Sequence, residues 1–298
     1  MITKVFFDVT NFCNSNCVYC FTNSKKMAAN VPNEISYAHI EKLIDDLVAL
    51  GVKELSIGGG EPFLRDVCRI FDYTNGRLDL SVTTNGTIIT EAIIRSLANN
   101  NVNITVSLDV LDQNVSDLIR KGIDVKLVVN NIKKLLQNPV VRENLSVRTT
   151  ISKYNIDFLI DMVEFCNKNS IKKLKVNSVN NFGRAKETNV IPDFNKFMET
   201  LDSIISYCKV NDISTKVSLP VEKYLKDNDR KCTLGNTSLY IDSLGNLYPC
   251  AFSEGNLCWG NVTKNSISDL LNNNWTHDNK ICRNCLINRY KAYKAKTV

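Results

Sequence analysis

Three cysteines fall within eight residues, Cys13-Asn14-Ser15-Asn16-Cys17-Val18-Tyr19-Cys20, spaced C-x3-C-x2-C. A loop this short can turn three thiolates toward one face of an iron–sulfur cubane, a cluster ordinarily held by Cys thiolates. With only three sulfurs, one iron is left without a protein ligand. An open iron can take a small molecule through an amine and a carboxylate. The other reading is a zinc site or a chance cluster. Zinc favours four N/S ligands, commonly as two separated pairs, and no fourth Cys or His lies near this loop.

A second stretch, Gly58-Gly59-Gly60-Glu61-Pro62, ends an apolar run at 53–57. Glycines let the backbone approach a ligand closely, and the neighbouring acid could sit near an ammonium group. A second cysteine set lies near the other end of the sequence. Cys232 and Cys250 bracket Gly245, and Cys282-Arg283-Asn284-Cys285 adds two thiols. Residues 239–242 and 246–248 read as a hairpin that could bring its two end thiols to one metal. A structural zinc ribbon of two Cys pairs is the alternative.

These residues need a scaffold, and the hydrophobic pattern supplies one. Strands are expected at 4–9, 53–57, 78–83, 102–108, 147–151 and 174–177. Helical i, i+3, i+4, i+7 spacing is clearest at 34–50, through Ile40, Leu43, Ile44, Leu47 and Leu50. Further helices are expected at 90–99, 125–137, 156–168, 193–209 and 266–272. Six alternating βα units give an α/β fold, a partial (β/α)6 TIM barrel open on one side, with the Cys loop at the C-terminal end of its first strand. Parallel barrels place their chemistry at that end. Ser107 and Asp109 alternate at the end of the fourth strand, so both are expected at the barrel mouth. Arg148 and Thr150 share one face of the fifth strand. Cys68, Cys166 and Cys208 fall singly within helices and read as small buried hydrophobes.

At 298 residues the chain suits one large domain and a small appendage. The boundaries are expected at 1–215 and 216–298, with a charged linker at 222–231. No run of about 18 apolar residues is present, which argues against a membrane span. The opening MITKVFFDVT is too strand-like for a signal peptide. Eleven cysteines without a secretory signal point to a reducing compartment, the cytoplasm, and to metal ligation. The net charge is +6, spread without an arginine-rich or aromatic-interleaved patch, so nucleic acid is not expected as a partner.

The Cys loop resembles the cluster signature of radical S-adenosylmethionine (radical SAM) enzymes, including an aromatic residue, Tyr19, before the last Cys. The Gly-Gly-Glu segment resembles the stretch that contacts the SAM amino group in that family, which carries over to Gly59, Gly60 and Glu61. The resemblance implies a [4Fe–4S] cluster on Cys13, Cys17 and Cys20, with SAM on its open iron. It also implies reductive cleavage to a 5′-deoxyadenosyl radical that takes hydrogen from substrate. Ser107 and Asp109 become candidate SAM or substrate contacts. Thr84-Asn85-Gly86, Arg120 and Gly183-Arg184-Ala185 match segments often found in the family. The second cysteine set resembles the auxiliary-cluster region called SPASM or, when shortened, twitch. That assigns Cys232, Cys250, Cys282 and Cys285 to one auxiliary [4Fe–4S] cluster. Cys258 is left over as a ligand, a hydrogen-atom donor or a core residue.

An auxiliary cluster closed by four thiolates passes electrons, which implies an oxidised product. The leading expectation is a maturase that forms a crosslink or thioether in a ribosomally made peptide, fed by a flavodoxin or ferredoxin type donor. Against it, the Cys loop begins at residue 13, with no separate leader-binding domain expected before it. The alternatives are a twitch-type dehydrogenase of a small-molecule alcohol resembling an aminocyclitol, a peptide epimerase using Cys258, and a non-enzymatic iron–sulfur or zinc scaffold. The only histidines, His39 and His277, lie outside the motifs, and no general base is named.

Overall fold

The computed structural model describes residues 1–24, 34–220, 235–253 and 257–274. The first half alternates strand and helix. β1 (Lys4–Thr10) and a two-residue β2 (Asn16–Cys17) precede α1 (Tyr37–Ala49), followed by β3 (Glu54–Gly59), α2 (Val67–Thr74), β4 (Asp79–Thr84) and α3 (Glu91–Asn99). β5 (Asn103–Ser107), α4 (Gln113–Ile119), β6 (Arg120–Lys121), α5 (Val125–Gln137) and α6 (Pro139–Asn144) come next. The chain continues through β7 (Leu145–Ile151), α7 (Leu159–Lys168), β8 (Lys173–Ser178), α8 (Ala185–Thr188), α9 (Phe194–Val210) and β9 (Lys216–Ser218). Last among the described residues are β10 (Ser238–Ile241), β11 (Asn246–Tyr248), β12 (Gly260–Asn261) and α10 (Ile267–Asn274).

The six expected βα units are present, and their strands β1, β3, β4, β5, β7 and β8 lie side by side, parallel, in sequence order. Alternation decides the faces. Val5, Phe7 and Val9 of β1 are fully buried, while Phe6 and Asp8 line the inner cavity. The outer apolar residues form one core with the helices. In α1 that contribution is Ile40, Leu43, Ile44 and Leu47, each worth about 1.5–3 kcal/mol when fully buried. Ser36, Asp66, Thr90, Asp112 and Asp124 cap the helices by accepting a backbone N–H with the side chain.

Two features go beyond the sequence reading. The sheet has ten strands in the order β12-β11-β10-β1-β3-β4-β5-β7-β8-β9. β10 pairs parallel with β1, matching Phe6 to Tyr240, so the hairpin expected as part of a separate appendage continues the barrel sheet. β9 extends the far edge parallel to β8, and the boundary expected at 215 and 216 falls immediately before it. The short α6 was also not anticipated. Its signal is Asn138-Pro139, an N-cap whose side chain accepts from Val140 N and Val141 N followed by proline at the first helical position. Of the three helical cysteines, Cys166 is fully buried, but Cys68 and Cys208 are only partly covered. No helix among the described residues is long and apolar enough to cross a membrane.

Candidate active site

The Cys loop leaves β1 at its C-terminal end and is held on four sides. Beneath it, Gly60 N donates to Thr10 O and Glu61 N to Phe12 O, both at 2.7 Å. A Cβ on Gly59 would fall on the Thr10 carbonyl oxygen, and one on Gly60 on that of Phe12. Gly59 also has φ +113°, so both positions need glycine. On one flank Asn85 Nδ2 donates to Asn14 Oδ1 at 2.7 Å, and Asn14 Nδ2 to Thr87 Oγ1 at 2.8 Å. On another, β2 pairs antiparallel with β6, setting Cys17 opposite Arg120. On the fourth, Arg184 Nε donates to Cys17 O at 2.8 Å and Arg184 N to Cys20 O at 3.0 Å.

Cys13, Cys17 and Cys20 all line one cavity of about 480 Å³. Ser15 Oγ lies 3.6 Å from Cys13 Sγ and 3.2 Å from Cys17 Sγ. Among the described residues no three Cys, His, Asp or Glu side chains close around a single metal ion. Gly58, Gly59 and Gly60 line the same cavity, as do Tyr19 and Ser107.

Two expected ligand contacts are placed differently. Glu61 is fully buried and is absent from the cavity wall. Its carboxylate accepts from Thr84 Oγ1 and Asn85 N at 2.7 Å and from Phe63 N at 3.2 Å. Burial pushes its pKa up against those bonds. It braces the Thr-Asn-Gly turn, and the glycine backbone alone faces the cavity. Asp109 lies beyond the end of β5, 2 % exposed, behind the wall. It accepts from Tyr19 Oη and, at 2.8 Å, from Thr150 N, and Arg120 Nη1 stands 3.6 Å from its Oδ2. Burial drives the Tyr19 hydroxyl well above its usual pKa, and the Asp109 charge adds to this. Burial alone would lower the Arg120 pKa, but the acidic groups that face it, Asp109 among them, outweigh it and hold the guanidinium firmly charged. Arg120 Nε is buried without a hydrogen-bond partner.

Three side chains of the cavity were not singled out from the sequence for a role. Asp8 accepts from Tyr240 Oη at 2.6 Å. Burial raises its carboxyl to about 7, the Tyr240 bond opposing this. Arg148 lines the wall with Thr150, as the alternation on β7 anticipated. Asp8 carries a readable signal, an acid on the inward register of an apolar strand. Tyr240 carries none, because only the pairing of β10 with β1 brings it there. Cys250 and Phe252 also line the cavity, and the Phe252 ring sits 5.4 Å from Phe21, the residue after Cys20, and 5.0 Å from Phe182. Cys258 is exposed, its Sγ 3.4 Å from Gly260 O, and does not line the cavity. Cys232, Cys282, Cys285 and His277, with the linker at 222–231, lie outside the described residues.

The donor set fits the group that the sequence implies. Three thiols of one short loop line the same cavity, a Cβ-free backbone cradle adjoins them, and an unsatisfied guanidinium nitrogen belongs to Arg120, opposite Cys17. This is the arrangement of an open-barrel iron–sulfur enzyme. The sequence profile of the Radical SAM superfamily matches residues 7–166, over half of the chain, and the chain belongs to that superfamily. Its core takes a [4Fe–4S] cluster and S-adenosylmethionine. Residues 232–286 match the SPASM iron–sulfur cluster-binding domain, an auxiliary cluster region.

Among curated relatives, a probable GTP 3′,8-cyclase of Methanocaldococcus jannaschii is 35% identical over 162 residues, 53% of each chain. The antilisterial bacteriocin subtilosin biosynthesis protein AlbA of Bacillus subtilis is 26% identical over 281 residues, 91% of this chain and 60% of AlbA. Among solved structures, Streptococcus suis SuiB bound to its precursor peptide SuiA superposes with a TM-score of 0.76 at 18% identity, over 94% of this chain and 65% of SuiB. That likeness concerns the fold. The chain spans about half to two thirds of the length of these three proteins.

Proposed function

We propose that this protein oxidatively modifies a ribosomally made peptide, forming a crosslink or a thioether. The observation that carries the reading is the shape of the site. One cavity of about 480 Å³ runs from the three-thiol loop to Cys250 and Phe252 beyond β10. A substrate there is in reach of both cluster regions. The likeness to AlbA and SuiB over more than nine tenths of this chain supports a peptide as that substrate.

Cys13, Cys17 and Cys20 hold the SAM-binding cluster in this reading, and Cys232, Cys250, Cys282 and Cys285 hold one auxiliary cluster. Bound there, the first cluster and S-adenosylmethionine supply a carbon-centred radical that removes a hydrogen atom from substrate. The chain's own residues position and protect. Gly59 and Gly60 offer backbone to the ligand, and Tyr19 and Arg120 stiffen the loop through Asp109. The Phe21 and Phe252 rings, packed on each other, add apolar surface to the cavity wall. A flavodoxin or ferredoxin type protein supplies electrons.

The test is anaerobic reconstitution followed by incubation with S-adenosylmethionine, reductant and a candidate precursor peptide. The reading expects 5′-deoxyadenosine together with a peptide lighter by two hydrogens. If peptides stay unchanged while an aminocyclitol alcohol is oxidised, the peptide assignment is wrong.

A further inference from the structure

The cavity wall contains a cation that makes no ion pair among the described residues. Arg148 lines it from β7. Its Nε is buried without a hydrogen-bond partner, and its side chain's one hydrogen bond among the described residues is Nη1 to Thr83 Oγ1 at 3.5 Å. The other guanidiniums of the cavity are engaged. Arg184 donates to the carbonyls of Cys17 and Ser24, and Arg120 has Asp109 at 3.6 Å on its Nη1 side while its Nε stays unpartnered beside the Cys loop. Asp109 accepts from Thr150 N on one oxygen and from Tyr19 Oη on the other, with Arg120 3.6 Å from the latter.

Beside Arg148 in register stands a second cation, Lys175 of β8. Among the described residues its ammonium donates only to Thr105 Oγ1, at 2.8 Å. Burial first, and Arg148 second, bring Lys175 down to about 8. Burial likewise lowers Arg148. Arg148 and Lys175 are neighbouring, partly buried cations with no ion pair to an acid among the described residues, their charges repel, and a bound anion relieves both. The surrounding wall offers hydroxyls and an amide at Thr83, Ser107, Thr150 and Asn177, the donors an oxyanion uses.

We propose that Arg148, with Lys175 behind it, forms a subsite for a carboxylate carried by the substrate, namely an Asp or Glu side chain or the C-terminus of a peptide. The choice of a peptide carboxylate rests on the proposed function above. The anion of S-adenosylmethionine is the competing occupant. It is tied to the cluster loop, and the guanidinium set against that loop is Arg120, opposite Cys17 across the β2–β6 pair with its Nε unpartnered. Arg148 stands on β7, in register with Ser107. The cofactor's carboxylate is assigned to Arg120 on that placement, and Arg148 remains for the substrate.

The test is equilibrium binding to the reconstituted holoenzyme. The probes are acetyl-Ala-Ala-Glu-Ala-Ala-amide and its Gln twin, with inorganic phosphate as competitor. A charge-assisted pair predicts that the Glu probe binds about 10- to 100-fold tighter. Arg148→Gln removes the difference, Arg148→Lys restores part of it, and the affinity for S-adenosylmethionine changes by less than about threefold. Equal binding of the two probes overturns the proposal. So does a loss of S-adenosylmethionine affinity in Arg148→Gln as large as the loss for the Glu probe. Phosphate that displaces the Glu probe more strongly than free acetate does assigns the site to a phosphorylated substrate and overturns the carboxylate. If Arg148→Gln fails to fold, the Glu and Gln probes compared on the unaltered enzyme at rising salt decide the question. Peptide modification is scored separately. A probe that binds by its carboxylate yet is never modified defeats the proposed reaction and leaves the subsite standing.

Discussion

Arg184 lies 167 residues beyond Cys17 in sequence, yet its Nε donates to the Cys17 carbonyl at 2.8 Å. The same side chain donates from Nη1 to Ser24 O at 2.8 Å, and its backbone N–H reaches Cys20 O. Gly183, at φ +54°, sits so close that a Cβ would fall on the Cys20 and Phe21 carbonyl oxygens. The segment after β8 therefore clamps the loop that starts after β1. Arg184→Ala is expected to lower iron incorporation on anaerobic reconstitution severalfold, because the Cys17 and Ser24 carbonyls lose their side-chain donors. Gly183→Ala is expected to do more damage than Arg184→Ala, since the obstruction is backbone. Iron counting per chain for both variants checks the order, and equal incorporation in all three proteins contradicts the clamp.

Glu61 separates a bracing role from a ligand role. Thr84 Oγ1 and Phe63 N donate to one of its oxygens and Asn85 N to the other. Glu61→Gln must turn an amide NH2 toward a donor whichever way it flips. The expected cost is about 1–3 kcal/mol of stability, read as a lower thermal midpoint under anaerobic conditions. The affinity for S-adenosylmethionine of the folded fraction should hold. An unchanged midpoint with lost affinity would return Glu61 to the cofactor.

Asp8 makes stability depend on pH. Its folded carboxyl titrates at about 7 against a usual 3.8, so the folded chain keeps a proton that the unfolded chain releases. That contribution is complete below about pH 4 and is lost as pH rises through about 7, at most about 4 kcal/mol for a shift near three units. Asp8→Asn imitates the protonated form. Thermal midpoints measured at pH 5 and pH 8 should fall with rising pH more in the parent than in Asp8→Asn. Parallel pH profiles would contradict the buried carboxyl.

Two cysteines should behave oppositely. Cys17 lines the cavity, and Cys258 is exposed outside it. Cys17→Ala, prepared without oxygen, is expected to abolish 5′-deoxyadenosine formation. Cys258→Ser is expected to leave both 5′-deoxyadenosine and product formation at the parent level. Loss of product with retained 5′-deoxyadenosine in Cys258→Ser would instead make that thiol a hydrogen-atom donor.

Much of this protein is written in short-range pattern. Strand and helix periods placed the six βα units, because each element buries one face and the sequence must alternate accordingly. The C-x3-C-x2-C spacing and the glycine run were legible for the same local reason, since a tight loop and a close backbone approach depend on adjacent residues. The fate of polar side chains was not local. Glu61 follows its glycines directly, but Thr84 and Asn85, 23 and 24 positions on, draw its carboxylate away from the cavity. Asp109 turns from the mouth because Tyr19 and Arg120 compete for it. Tyr240 meets Asp8 across 232 positions only because β10 docks on the open edge of β1. Short-range sequence thus determined the elements and the thiol loop. Tertiary packing decided which charges pair behind the wall and which, like Arg148, are left facing the cavity. Desolvation forces each buried polar group to find a partner, and those partners come from strands distant in the chain.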